Sequence, residues 1–425
     1  MRLCIRRMSF FAMLLVYCSL VANAQNADAT LKQIFDSPKV RQALENLKGS
    51  EAQTIKEQIA ICEIPAPTFH EERRAAWFKQ RFTELGLKNV RIDQVGNVLG
   101  ERPGKGGNGN GPVLALAAHL DTVFPEGTDV RVKHEGSILK GPGIGDDCRG
   151  LAVILAVARA LDEAKIETAG TIIFVANVGE EGLGDLRGAR HLFNEELKGR
   201  ATHFISVDGI GDDITNVAVG VVRYRVTFRG PGGHSFGAFG LPSPVHAMGR
   251  AIEKISRFQV PAQPKTTFNV GKIEGGTSVN SIAHTAWMEV DMRSEGAPEL
   301  NKLEAEFKGA VQTAIDEENQ ARPNKTPITA ELKIVSQRPA GVQPADSPIV
   351  KTALAASAAL GIKAQLSAGS TDSNIPISLK IPAITIDGGG GGKGAHSLDE
   401  YFDTTNSHLG TQRTLLIALG IVGLK

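Results

Sequence analysis

The chain has 425 residues, 42% of them hydrophobic and 22% charged, with a formal net charge of +1. That length is enough for about two domains with large cores, and that composition excludes a globally disordered chain. The near-neutral balance, with no long basic run in the body of the chain, leaves nucleic-acid binding without an electrostatic footprint. At the start, Arg2, Arg6 and Arg7 precede an apolar run from Phe10 to Val21, followed by Ala22-Asn23-Ala24. This reads as a signal peptide over 1–24, because the run is shorter than the ~20 apolar residues of a spanning helix and ends in an A-x-A pattern. A chain so addressed is exported, periplasmic or secreted, with no membrane partner after cleavage. Cys4 and Cys18 leave with that segment. Cys62 and Cys148 remain, too few for a disulfide framework, and whether they pair stays open.

Ala27–Leu47, Glu51–Cys62 and Glu71–Leu85 read as helices, the last with Ala75, Phe78, Phe82 and Leu85 at helical spacing. Val90–Glu101 reads as a short hairpin. Gly104–Gly111 is a Gly/Asn/Lys connection that lacks the GxxxxGK-Ser/Thr pattern of a phosphate cradle. Val113–Ala118, Thr171–Val178, Phe204–Val207 and Ala383–Ile386 are continuous apolar runs, as in strands buried on both faces. Leu151–Leu161, Leu186–Glu195, Ile349–Leu360 and Thr405–Leu419 are the intervening helices. Such alternation predicts an α/β fold: a mixed, mostly parallel sheet with helices on both faces. Ligands of such sheets bind beyond the carboxyl ends of the strands.

From Gly220 to Ser336 the pattern changes. Val222, Tyr224, Val226 and Phe228 alternate with Arg223, Arg225, Thr227 and Arg229, a half-exposed strand. Pro242–Phe258 follows as an amphipathic helix. Thr266–Lys272 and Thr285–Arg293 are strands, Leu300, Leu303, Phe307 and Val311 mark a helix, and Ile328–Val335 is the last strand. The order βαββαβ is ferredoxin-like. The predicted plan is therefore one domain over 25–218 and 338–425, interrupted by an inserted α+β domain over 219–337.

Polar residues cluster where the apolar strands end: His119, Asp146, Glu180, Glu181, Asp208 and His396. Asp146 and Asp147 close the glycine-rich stretch Gly141–Gly150, directly before the buried helix. Acids there need positive charge, from the helix dipole in part or from a metal ion. Imidazole and carboxylate are ligands that zinc accepts, and two His with three carboxylates suffice for two ions when one carboxylate bridges. Such pairs, roughly 3.5–4 Å apart, serve hydrolysis. Any one of these residues has an ordinary structural reading. Asp147 is read as a helix N-cap, and His70, His134, His191, His203, His246, His284 and His408 as structural histidines.

The chain resembles the family of dinuclear zinc peptidases that includes peptidase T, glutamate carboxypeptidase and the aminoacylases, with the peptidase T branch nearest. The resemblance lies in Ala118-His119-Leu120-Asp121-Thr122, Gly141–Asp147, Gly179-Glu180-Glu181-Gly182, Val207-Asp208-Gly209, Gly232-Gly233-His234-Ser235, Gly276–Asn280 and Gly394-Ala395-His396-Ser397, with Ser370-Thr371-Asp372 and the five-glycine run before His396 marking the branch. It implies that Asp146 bridges two divalent ions, zinc first with cobalt or manganese as substitutes. His119 and Asp208 would complete one site, Glu181 and His396 the other. Asp121 would orient His119, Glu180 would be the general base, and His234 would stabilise the oxyanion, often from a partner subunit of a homodimer. The domain over 25–218 and 338–425 would be catalytic and the inserted one a lid or dimerisation domain, in which Asn280 and Arg293 would hold the substrate. One departure is Cys148-Arg149, where the family usually carries Lys-Gly, leaving a thiol beside the metals. The implied activity is exopeptidase cleavage of di- and tripeptides, from an end the sequence leaves open. Deacylation of N-acyl amino acids, and peptide binding without catalysis, are the alternatives.

Overall fold

The computed structural model describes residues 29–106, 111–324 and 326–425. The signal-peptide reading over 1–24 lies outside the described residues. Contacts divide the chain into two units, one reaching to Asn216 and resuming at Val342, the other spanning Val217–Gly341.

In the first unit the four apolar runs become β1 (Val113–His119), β2 (Thr171–Asn177), β3 (His203–Val207) and β4 (Ala383–Ile386). Their spatial order is β2-β1-β3-β4, every neighbouring pair parallel, with Leu116 opposite both Phe174 and Ile205 and Ile386 opposite Val207. Antiparallel strands flank this core: Val98–Arg102 beside β2, with Lys88–Ile92 outside it, and Ile214–Ala218 beside β4. Because the four central strands are parallel, their carboxyl ends share one edge. The chain moves from β1 to β2 on one side and then to β3 on the other, so the strand order reverses between β1 and β3. A crevice opens at such a switch point, and His119 and Asp208 stand on its two sides.

Helix α1 (Cys148–Glu163) is buried from Cys148 through Leu161, as a helix apolar all round must be. Each fully buried Leu, Ile or Val of it is worth about 1.5–3 kcal/mol over exposure. Its first turn presses on β3: a Cβ at Gly150 would stand 2.1 Å from the Val207 carbonyl oxygen. Gly150→Ala would therefore push the helix start away from the strand that leads to Asp208.

Two elements depart from expectation. The single helix expected over Ala27–Leu47 is broken: 29–36 are helical, and a new helix spans Pro38–Gly49. Proline has no N–H to continue the first helix but suits the first turn of the next. A small antiparallel sheet, unforeseen, orders Gly391–Lys393, Tyr401–Asp403, Ile138–Lys140 and Lys133–Glu135. It ties the stretch before Gly141 to the stretch after His396.

The second unit is the expected βαββαβ. Strands Gly220–Arg229, Thr266–Gly275, Thr285–Ser294 and Thr329–Arg338 form an antiparallel sheet, with Thr285–Ser294 and Thr329–Arg338 on either side of Gly220–Arg229. Helices Pro244–Ile255 and Ala297–Ala321 lay Met248, Ile255, Leu303 and Phe307 against Val222, Tyr224, Val226 and Phe228 in one core.

Candidate metal centre

Each strand end delivers its residue by a local device. His119 is the last residue of β1. After β2 the chain turns at Gly179, whose φ is +66° and whose added Cβ would stand 2.0 Å from Arg187; this turn places Glu180 and Glu181. Asp208 follows β3 directly, its N–H donating to the Ile386 carbonyl of β4 at 3.0 Å. His396 stands on a loop beyond β4, itself at φ +67°, a left-handed conformation uncommon outside glycine and a mark of functional loops. The Asp146–Asp147 peptide is cis.

Four of these residues, His119, Asp208, Glu181 and His396, gather around Asp146. Its Oδ1 lies 3.0 Å from His119 Nε2, and that nitrogen lies 3.8 Å from Asp208 Oδ1. Its Oδ2 lies 3.1 Å from His396 Nε2, which lies 3.1 Å from Glu181 Oε1. One carboxylate thus faces two separate donor sets, one through each oxygen. The donor atoms of His119, Asp146 and Glu181 lie within 4.8 Å of one another.

Asp121 supports more than was read from its spacing. His119 Nδ1 is 3.0 Å from the Asp121 carbonyl and 3.6 Å from its Oδ1. The same carboxylate accepts the backbone N–H groups of Glu180 and Glu181, each at 3.0 Å, and the Thr68 hydroxyl at 2.9 Å. One buried aspartate therefore orients a histidine and fixes the turn that carries both glutamates. Asp147 is the N-cap of α1, accepting from the Gly150 N–H at 3.0 Å, and its other oxygen accepts from the His119 N–H at 3.0 Å. Cys148 and Cys62 are both free and buried. Burial and the Cys148 thiol beside it hold the Cys62 thiol well above its ordinary pKa, so it is an inert thiol. Arg149 turns away from the site, donating to the Gly388 and Ser407 carbonyls and pairing with Glu51 at 2.9 Å.

Two buried acids were given no role in the sequence reading, Asp372 standing there only as a mark of the branch. Glu400 accepts three backbone N–H groups of the loop that carries Asp146. Asp372 accepts from Asn177 Nδ2 at 2.6 Å. Burial pushes each carboxyl up to about 7. Neither sits at a strand end, and a lone acid in a polar loop gives no periodic signal; only the spacing His396-x-x-x-Glu400 marked one of them.

The electrostatics ask for cations. Burial opposes charge on His119, yet hydrogen bonds to Asp121, Asp146 and Asp208 outweigh it and hold its pKa well above the ordinary value. Asp146 and Glu181 push His396 up to about 10. Burial lifts Glu181 and Asp147. Against the opposing pull of burial, the two imidazoles hold Asp146 low. Among the described residues, the ion-pair partners of Asp146, Asp208 and Glu181 are imidazoles, never Lys or Arg. Acid outnumbers base, so protons are drawn onto the imidazoles that a metal needs neutral. Spacing also fits. Tetrahedral zinc with bonds of about 2.0–2.1 Å sets its donors about 3.3 Å apart, and the separations here run from 3.0 to 3.8 Å.

The second unit holds the remaining candidates. Gly233–His234 pairs with Ser281–Ile282, and the Ser235 N–H donates to the Asn280 carbonyl at 2.9 Å, so His234 and Asn280 are brought together. His234 Nδ1 accepts from the Phe236 and Gly237 N–H groups, at 3.3 and 3.2 Å. That leaves the proton of the neutral ring on Nε2, a donor. Arg293 is not with them. It lies near the far end of Thr285–Ser294, its Nε 2.8 Å from Asp291 Oδ2, about 27 Å along the strand from Thr285 at ~3.4 Å per residue.

A sequence model of peptidase family M20/M25/M40 matches residues 115–419. The uncharacterized protein YqjE of Bacillus subtilis (strain 168) is 26% identical over 353 residues, covering 79% of this chain and 90% of its own. The cytosol non-specific dipeptidase of Escherichia coli (strain K12) is 26% identical over 269 residues, covering 57% of this chain and 54% of its own. In fold, the crystal structure of aminopeptidase PepT from Bacillus cereus superposes with a TM-score of 0.72 at 22% identity, covering 88% of this chain and 99% of that one. These relatives correct the expectation of a periplasmic or secreted protein, since a matched enzyme is cytosolic by name. A basic start and a 12-residue apolar run are weak as an address: an apolar stretch of that length equally suits a core or interfacial helix.

Proposed function

The chain belongs to peptidase family M20/M25/M40 and is a hydrolase acting on peptide bonds; from that premise we propose that it is an exopeptidase of di- and tripeptides that works with two divalent cations, zinc first, bridged by Asp146. The carrying observation is the two-sidedness of Asp146, with His119 Nε2 3.0 Å from one oxygen and His396 Nε2 3.1 Å from the other. Bound there, the cations would polarise the scissile carbonyl and acidify the attacking water.

The protein's own groups do the rest. Glu180 takes the proton of the attacking water and returns it to the leaving amine. Its position depends on Asp121, which holds the Glu180 N–H at 3.0 Å. The Nε2–H of His234 donates to the developing oxyanion, Asn280 holds the substrate backbone, and Arg293 its carboxylate. A dipeptide spans only about 7 Å, whereas Arg293 lies about 27 Å of strand beyond Thr285, in the strand that follows the Ser281–Ile282 partner of Gly233–His234. That supports a homodimer in which the two act on one substrate from different copies.

The test is a tripeptide of three distinct residues, offered with zinc, its products weighed by mass spectrometry beside a panel of N-acyl amino acids. Release of one terminal residue is expected, and the mass names the end. Cleavage of the acyl substrates alone would move the reading to a deacylase. Glu180→Gln is expected to lower kcat by ~10²–10⁴-fold with zinc content unchanged; full activity in that variant would remove Glu180 as the base.

A further inference from the structure

We propose that Glu400 is a positioning residue that fixes the distance between Asp146 and His396, and so governs occupancy of the cation site on the His396 side. The inference deepens the two-cation reading and rests on it.

The stretch ahead of Asp146 alternates glycine, at 141, 143 and 145, and Gly143 has φ +76°. Such backbone has little conformational preference of its own. Glu400 supplies the template. Its Oε2 accepts the Gly143 N–H at 2.9 Å, and its Oε1 accepts those of Gly145 and Asp146 at 2.8 and 3.1 Å. Its own carbonyl accepts the Gly141 N–H at 3.1 Å. Four of the six N–H-bearing or ring positions from 141 to 146 are thus held by one residue, which is fully buried.

The same residue belongs to the His396 loop. Its N–H donates to the Ser397 carbonyl at 3.1 Å, and the Ser397 N–H donates to the Gly394 carbonyl at 2.8 Å, closing turns on both sides of His396. Immediately after Glu400, Tyr401 pairs with Lys140 and starts the strand that registers the two segments. His396 is at φ +67° on an exposed loop, with no strand of its own to hold it. The His119 side has no such need: His119 ends β1, and Asp208 is tied to β4. Asp146 is shared by both donor sets, but its neighbour Asp147 accepts the His119 N–H at 3.0 Å and so keeps it beside His119 without Glu400; loss of the template therefore loosens the His396 donor set more than the other.

A Gln at 400 keeps the shape but faces an amide NH₂ toward N–H groups that need an acceptor. The experiment titrates the metal-free chain with zinc by calorimetry, for wild type, Glu400→Gln and Glu400→Asp, with zinc content after dialysis as a second readout. Expected for wild type are two bound zinc ions. For Glu400→Gln one of the two steps falls by ~10–100-fold, as for other groups that orient ligands, and the other falls by clearly less. Glu400→Asp, charged but one methylene shorter, falls between, and it is the variant to titrate if Glu400→Gln does not fold. Two unchanged steps in both variants would overturn the proposal. So would equal weakening of both steps, which marks loss of a nearby charge rather than of a template. A wild-type chain that binds fewer than two zinc ions instead removes the two-cation reading itself.

Discussion

The two halves of the metal centre share Asp146 and are built differently. On one side His119 is 1% exposed, and Asp121 and Asp147 behind it are fully buried. That half grows out of the sheet: β1 ends in one donor, β3 runs into another, and the Asp147 side chain holds the His119 N–H. On the other side the His396 ring is 56% exposed and rides a glycine-bordered loop. The difference teaches where rigidity comes from. Donors on strand ends inherit their positions from the ladder, whereas a donor on a loop needs a separate tether.

The sharpest way to break that contrast is to remove one histidine from each side. His119→Ala takes from Asp121, Asp146 and Asp208 the buried imidazole that all three face. Loss of a buried charged partner costs about 3–5 kcal/mol, so a large drop in melting temperature is expected even without metal, together with loss of activity. His396→Ala should abolish activity as fully, yet lower metal-free stability less than His119→Ala does, because its ring is 56% exposed and its ion pairs to Asp146 and Glu181 are partly screened by solvent. Equal melting temperatures for the two variants would erase the distinction between the halves. A smaller effect comes from Asp121→Asn. One of its oxygens becomes an NH₂ facing the Glu180 or Glu181 N–H, and the expected loss is ~10–100-fold in kcat or zinc affinity. The His396 side should feel it only through Glu181, a split that zinc titration can read.

The same contrast explains what could be read from the residues alone. The strand-borne part was legible. Continuous apolar runs announce buried parallel strands, parallel strands expose their carboxyl ends on one edge, and polar residues at four such ends therefore converge. His119, Glu181 and Asp208 are close in space for that reason, and Asp146 and His396 reach them from loops. The loop-borne part was not. Glu400 and Asp372 have no periodic neighbours, and their partners lie 254–257 and 195 residues away. The four-stranded sheet joining Ile138–Lys140 to Tyr401–Asp403 is made of three-residue strands, too short to alternate visibly. The broken first helix was legible in principle: Pro38 stood in its middle, and helical spacing on both sides hid it. The N-terminal address was misread because its signal is composition, which carries no packing constraint.

The finest test of the buried half concerns Asp372, which stands behind it. Asn177, opposite His119 in the β1–β2 ladder, donates to one Asp372 oxygen at 2.6 Å. Among the described residues, the other oxygen of Asp372 and the side-chain oxygen of Asn177 have no hydrogen-bond partner. Burial raises this carboxyl to about 7, with Asp208 and Asp121 pushing the same way. A folded-state value above the unfolded ~3.9 means that the native chain binds this proton more tightly. Its contribution to stability is then whole below about pH 4 and shrinks as pH rises toward and through 7. The gap is worth about 4 kcal/mol at most. Asn at 372 keeps an acceptor for Asn177 Nδ2, offers an N–H to the unpartnered Asn177 oxygen, and cannot ionise. Metal-free Asp372→Asn should therefore melt near wild type at pH 4.5 and above it at pH 8, the difference growing steadily between. Parallel melting curves for the two chains across that range would mean that Asp372 keeps one protonation state throughout. The buried half would then owe its rigidity to packing alone, not to a carboxyl held neutral behind it.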